Sequence, residues 1–218
     1  MRSLRLLAMA ALLLFAAPSF ATTFTVTGWD LGQLIRVQFN GQNRAFWTVQ
    51  FHEQVDGVVG TSFCADLSQV IGKNTYSNFA ANDPAAAESA AFAAGTPQRK
   101  FVFAAKIADR WGNDLGWLQT NLGVTAAQSI TGVQAAVWEA VYGTAFTATS
   151  SSMSAGAYSV YSYVLGSRYS NYGHTTLYYS RTNQDQLFTP PIPEPSAMIV
   201  FGAGALLVGR TLLRRRQS

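Results

Sequence analysis

The sequence predicts an α+β domain: an antiparallel β-sheet or barrel with an inserted helical portion. Three observations carry that expectation. Four short runs between residues 23 and 65 are rich in Val, Thr and aromatics with partial alternation, as half-buried strands require. From Asp83 the chain turns to alanine-rich segments with helical periodicity. A strand-like run, HTTLYYS, then returns at 174–180.

The elements follow in order. Strands are expected at 23–28 (TFTVTG), 34–39 (LIRVQF), 46–52 (FWTVQFH) and 58–65 (VVGTSFCA). Asn40-Gly41 favours a tight hairpin between the second and third, with Gln42-Asn43 available to lengthen the loop. Asp83-Pro84 offers an N-cap followed by a proline at the first helical position, AAAESAAFAA continues the helix, and Gly95 can end it. A second helix is expected over 98–111, with Phe101, Ala105, Ala108 and Trp111 on one face. Thr125 or Thr131 opens a third that carries Val133, Val137 and Val141, and 153–165 forms a fourth. Residues 183–193 read as a polar, then proline-rich, exit. No internal repeat is visible.

Both ends read as targeting segments. Arg2 and Arg5 precede an apolar stretch at 6–17, and Ser19-Phe20-Ala21 places small residues where signal peptidase reads, so 1–21 is expected to be a cleaved signal peptide. At the other end Pro193-Glu194-Pro195 precedes an apolar run and the Arg214, Arg215, Arg216 cluster. A helix over about 196–213 is roughly 25 Å long, enough to span a bilayer with the arginines on the cytoplasmic side. In that order of parts, 190–218 resembles the PEP-CTERM sorting signal of exopolysaccharide-producing Gram-negative bacteria. The resemblance implies processing by exosortase, passage through the inner membrane with the domain periplasmic, and a final place at the cell surface or in the extracellular matrix.

The targeting segments also explain the basic pI of 9.4. Of the fifteen Lys and Arg, two lie in the leader and four in the tail, which leaves nine against ten Asp and Glu over 22–190, a net of −1. No basic patch with interleaved aromatics remains, so nucleic acid is not an expected partner. The 22–189 region is long enough to bury one core.

The chain holds one cysteine, Cys64. In an exported domain a lone thiol is a buried inert group, half of an intermolecular disulfide, or already consumed in another bond. Its context is FCADL at 63–67, and TGVQAAVWEAVYG follows at 131–143. Together these resemble the thioester domain of bacterial surface proteins, in which a Cys in an aromatic-Cys-x-Asp context bonds to a Gln in a Thr-Gln-x-Ala-Ile-Trp context. Gln134-Ala135-Ala136-Val137-Trp138 matches the second element with Val for Ile, while Val133 stands where the family has Thr. The resemblance implies a thioester between Cys64 and Gln134 that acylates a nucleophile on an exopolysaccharide or surface protein. Trp138, four positions after Gln134, is placed as a lid or as core packing, and Asp66 as support for the local turn or as a surface charge. A competing local reading makes Thr131 and Gln134 a capping box.

Other chemistry is poorly supported. His52-Glu53-Gln54-Val55-Asp56 lacks the second histidine of a metalloprotease helix, and His174 stands alone, so neither metal nor cofactor is expected. Asp109, Asp114 and Glu139 have no spacing that selects a glycosidase pair. A conventional enzyme is therefore not expected. The alternative to covalent attachment is a non-covalent matrix or carbohydrate-binding module that uses Trp47, Trp117, Tyr161 or Tyr163 as stacking faces.

Overall fold

The computed structural model describes residues 22–95, 100–170 and 172–191. The expected leader at 1–21 and the sorting segment from 192, with Pro193, Glu194, Pro195 and Arg214 to Arg216, lie outside them. Among the described residues no helix is long and apolar enough to cross a membrane.

The architecture is mixed α+β, with one large antiparallel sheet and five α-helices among the described residues. Its strands are β1 (Thr22–Phe39), β2 (Gln42–Val55), β3 (Val58–Cys64), β4 (Thr75–Asn82), β5 (Phe146–Thr147), β6 (Thr176–Tyr179) and β7 (Gln186–Thr189). They are ordered β2-β3-β7-β6-β4-β1-β5, and β2 also pairs with β1. That extra pairing closes six strands into a barrel and leaves β5 on the outer side of β1. The helices are α1 (Pro84–Ala93), α2 (Phe101–Trp111), α3 (Leu115–Leu122), α4 (Ala126–Tyr142) and α5 (Ala155–Gly166), all inserted between β4 and β6.

Turn chemistry fixes the strand register. Asn40 and Gly41 have φ of 50° and 74°, so the hairpin is the tight two-residue form, and Phe39 pairs directly with Gln42. Asp56-Gly57, with φ of 48° and 88°, makes the same turn between β2 and β3. The two strands expected at 23–28 and 34–39 are one strand, β1, which absorbs irregularities between Val26 and Gly28 and between Leu31 and Leu34. Through this register Phe24, Val26, Glu53, Val55, Ser62, Cys64, Gln186 and Phe188 share the barrel's inner face. Phe63 and Leu187 face the helices instead and are fully buried.

The helix starts show how sequence sets the boundaries. Asp83 caps α1 by accepting from the N–H groups of Ala85 and Ala86, with Pro84 first in the helix. For α4 the cap is Thr125, in a reciprocal capping box with Gln128. Thr131 and Gln134 are therefore not a cap. Both lie inside the helix and are fully buried, and Thr131 spends its hydroxyl on Thr48 Oγ1 (2.9 Å), the Gln33 N–H (2.8 Å) and the Ala127 carbonyl (2.7 Å). This ties α4 to the irregular stretch of β1.

Helix α4 is the centre of the helical portion, and α5 crosses it at Gly132. A Cβ built on Gly132 would stand 2.5 Å from Val160 Cβ and 2.7 Å from the Ala157 carbonyl. Glycine here permits backbone approach rather than a special dihedral. Gly132→Ala is expected to destabilise the fold by about 1–3 kcal/mol, because α5 must move away. Urea unfolding checks this, and an unchanged midpoint would mean that the two helices do not meet as described.

Candidate functional site

The site forms where β2 and β3 part. Their ladder ends at the Gln50–Phe63 pair. Two residues after Phe63, the Ala65 N–H bonds the Asp185 carbonyl on the β7 side (2.8 Å), so by alternation the N–H and C=O of Cys64, between them, face the β2 side. There they meet no strand. Gln134, from the middle of α4, supplies the missing partner: its Oε1 accepts from the Cys64 N–H at 3.0 Å, and its Nε2 donates to the Cys64 carbonyl at 2.9 Å. A side-chain carboxamide thus replaces a strand neighbour, and every polar atom of the fully buried Gln134 is satisfied.

The Cys64 side chain points to the barrel interior, is 4% exposed and forms no disulfide. Gln186, opposite Cys64 in the β3–β7 register, donates to Sγ at 3.8 Å and accepts from Ser62 Oγ at 2.9 Å. Burial pushes the thiol well above its ordinary range; the Gln186 amide opposes that shift, while Glu53 and Asp66 add to it. A free thiolate is therefore disfavoured here, and bulk water is kept from the sulfur.

The chain after Cys64 is held along the same helix. Tyr142 Oη donates to Asp66 Oδ1 at 3.1 Å and accepts from the Leu67 N–H at 3.0 Å. Asp66 Oδ1 also accepts from the N–H and Oγ of Ser68, at 2.7 and 2.6 Å, so Asp66 is a buried turn-forming acid. Gln134, Trp138 and Tyr142 lie at four-residue spacing on one face of α4. Trp138 packs between Phe46 and Phe146, at centroid distances of 5.8 and 6.1 Å, and its buried indole N–H has no partner among the described residues.

Two residues near the cysteine were not singled out as site residues by the sequence. Gln186 lies in the stretch read as an exit segment. Glu53 belonged to the rejected metal motif; it is fully buried on the inner face of the barrel, and neither carboxyl oxygen has a hydrogen-bond partner among the described residues. Burial pushes its carboxyl up to about 8, partly offset by Ser62. Among the described residues no three His, Cys, Asp or Glu side chains cluster as metal ligands.

The aromatics considered as stacking faces are dispersed. Trp47 lies on the β1–β2 ribbon, while Tyr161 is buried and bonds Glu139. Trp117 and Tyr163 stack on each other at 5.7 Å. Tyr163 also lines a cavity of about 500 Å³ with Arg110, Trp111, Arg168 and Tyr169.

The unfolded chain ionises Glu53 near pH 4.5, whereas the folded chain holds the proton up to about 8. Between those values the folded state binds the extra proton, so stability falls as pH rises, by up to about 1.4 kcal/mol per unit. Glu53→Gln is expected to remove that slope and to raise stability at pH 8. Urea titrations from pH 4 to 9 check it, and an unaltered slope would contradict the buried neutral acid.

A scan of the sequence against protein-family models gives no match, and a search among curated proteins gives none. Among solved structures, the chain is similar to the N-terminal thioester domain of a surface protein from Clostridium perfringens, with TM-score 0.44 and 13% identity over 65% of this chain and 89% of that one.

Proposed function

We propose that this is an exported surface or matrix protein that attaches covalently to a partner through a thioester between Cys64 and Gln134. The observation that carries the reading is the seating of the Gln134 carboxamide on the Cys64 main chain through two hydrogen bonds, 70 residues apart in sequence. Holding both groups in one dry place supplies the proximity that acyl transfer needs.

The chemistry balances without a cofactor. Cys64 Sγ attacks Gln134 Cδ, the C–N bond breaks, and the departing nitrogen takes the thiol proton and leaves as ammonia. An amine on the partner later attacks the same Cδ, and the C–S bond breaks with its electron pair passing to Sγ. The proton lost by the amine restores the Cys64 thiol, and a new amide joins Gln134 to the partner. The thioester is consumed, so the protein is a single-use reagent rather than a catalyst. Gln186, donating toward Sγ, is placed to favour departure of the sulfur. In this reading Trp138 closes the helix side of the site by packing, and Asp66 holds the turn that follows the cysteine. Signal peptidase and exosortase would process the ends, and the tail would hold the protein at the inner membrane before its transfer to the surface or matrix.

A second reading, non-covalent binding of a matrix saccharide, is favoured by the cavity beside Tyr163, where two arginines and aromatic rings converge. Intact mass separates the two. The thioester protein is expected to be lighter than its sequence by one ammonia; methylamine should add one equivalent and free one thiol, and Cys64→Ala should abolish both effects. An unmodified mass with no methylamine adduct removes the covalent reading.

A further inference from the structure

The fork that exposes Cys64 to Gln134 also leaves one edge of β2 open. On the β1 side of that edge's strand, pairing is continuous: Leu34, Ile35, Arg36 and Val37 stand opposite Trp47, Phe46, Ala45 and Arg44. The Arg36 N–H bonds the Ser152 carbonyl and the Asn40 N–H bonds the Ala145 carbonyl, so these residues of β1 point away from β2. Residues 35, 37 and 39 therefore face β2 and are met by Phe46, Arg44 and Gln42. By alternation Asn43, Ala45 and Trp47 aim their N–H and C=O groups at the other side. Pairing with β3 there stops at Gln50, and no described strand replaces it. The edge is open to solvent: Asn43, Arg44 and Ala45 are exposed, and Trp47 is 60% exposed.

Unpaired strand edges of this kind accept an added strand. Here the flanking surface favours apolar and acidic side chains. Trp29, Leu31, Leu34 and Trp47 make an exposed apolar stripe on the ribbon. The ribbon's exposed cations are Arg36 and Arg44, whereas the exposed acid of β1 and β2, Asp30, is held by His52 at 2.9 Å. A strand added along Asn43, Ala45 and Trp47 runs toward Val49, where Gln134 fills the gap between β2 and Cys64.

We infer that the open edge of β2 over 43–47 is a docking site for an extended, acidic and apolar segment of a partner protein, which the edge guides toward Gln134. Docking itself needs no thioester, while the guidance rests on the proposed Cys64–Gln134 bond. Those two parts are separable by experiment.

The probe is a short acetylated peptide alternating glutamate and valine and ending in lysine. Its comparator is the same peptide with every backbone nitrogen methylated, which has no N–H to give to an edge. With Cys64→Ala protein, tryptophan fluorescence is expected to report saturable binding of the first peptide and none of the second. Ala45→Pro removes an N–H from the open edge without touching the β1 ladder, and it should weaken binding at least ~10-fold while circular dichroism is retained. Should that variant misfold, the methylated comparator decides on the unsubstituted protein. With the unsubstituted protein, the peptide should form its adduct at least ~10-fold faster than methylamine at equal concentration. Binding without adduct supports the docking site and counts against the thioester. The proposal is overturned if both peptides behave alike or if folded Ala45→Pro binds undiminished. It is also overturned if sedimentation shows the edge already paired with a second copy in a dimer that Ala45→Pro dissolves.

Discussion

The paired hydrogen bonds between the Gln134 carboxamide and the Cys64 main chain are the constraint on which the site depends. A barrel strand that leaves its neighbour exposes an N–H and a C=O, and burying them unpaired would cost about 1–3 kcal/mol each. A carboxamide presents a donor and an acceptor side by side and carries no charge at any ordinary pH. Placing it there requires α4 to pass the fork at a fixed height and rotation. Thr131 on one side and Tyr142 on the other set both, through Thr48 and Gln33 in the first case and Asp66 and Leu67 in the second. Helical portion and barrel are thus joined by polar contacts at defined points as well as by apolar packing.

The same arrangement creates a tension that the proposed chemistry resolves. A thiol held in a dry barrel next to a neutral buried acid resists ionisation, which is a poor state for a reactive cysteine. A thioester has no proton to lose and no charge to solvate, so the site suits the product better than the reactants. In the proposed chemistry, exclusion of water would protect the activated acyl group until a nucleophile arrives.

Much of the fold was legible because local chemistry and tertiary pairing agree. Asn40-Gly41 reads as a tight turn in sequence and is one, and Asp83-Pro84 starts a helix as its residues require. Other elements were hidden for physical reasons. In β4, Tyr76, Ser77 and Asn78 are not buried and Phe79 is the one buried residue, so no alternation appears. All four residues of β7 are buried, but the strand is too short and too polar at Gln186 to announce itself. The capping box was ambiguous because Thr125-x-x-Gln128 and Thr131-x-x-Gln134 carry the same pattern, and only the depth of the second pair in the core separates them.

The cysteine and glutamine stood out by their local contexts. Glu53 did not, because an acid on an alternating strand normally points to water, and the inward phase of β2 is set by its register with β1 and β3. Gln186 depends likewise on the β3–β7 register. The most direct test of the central claim is peptic digestion in acid, where a thioester survives, followed by tandem mass spectrometry. The account predicts one branched species joining the peptide that contains Cys64 to the peptide that contains Gln134, lighter than their sum by one ammonia. Two separate peptides, with a free thiol on one and an intact glutamine on the other, would contradict it.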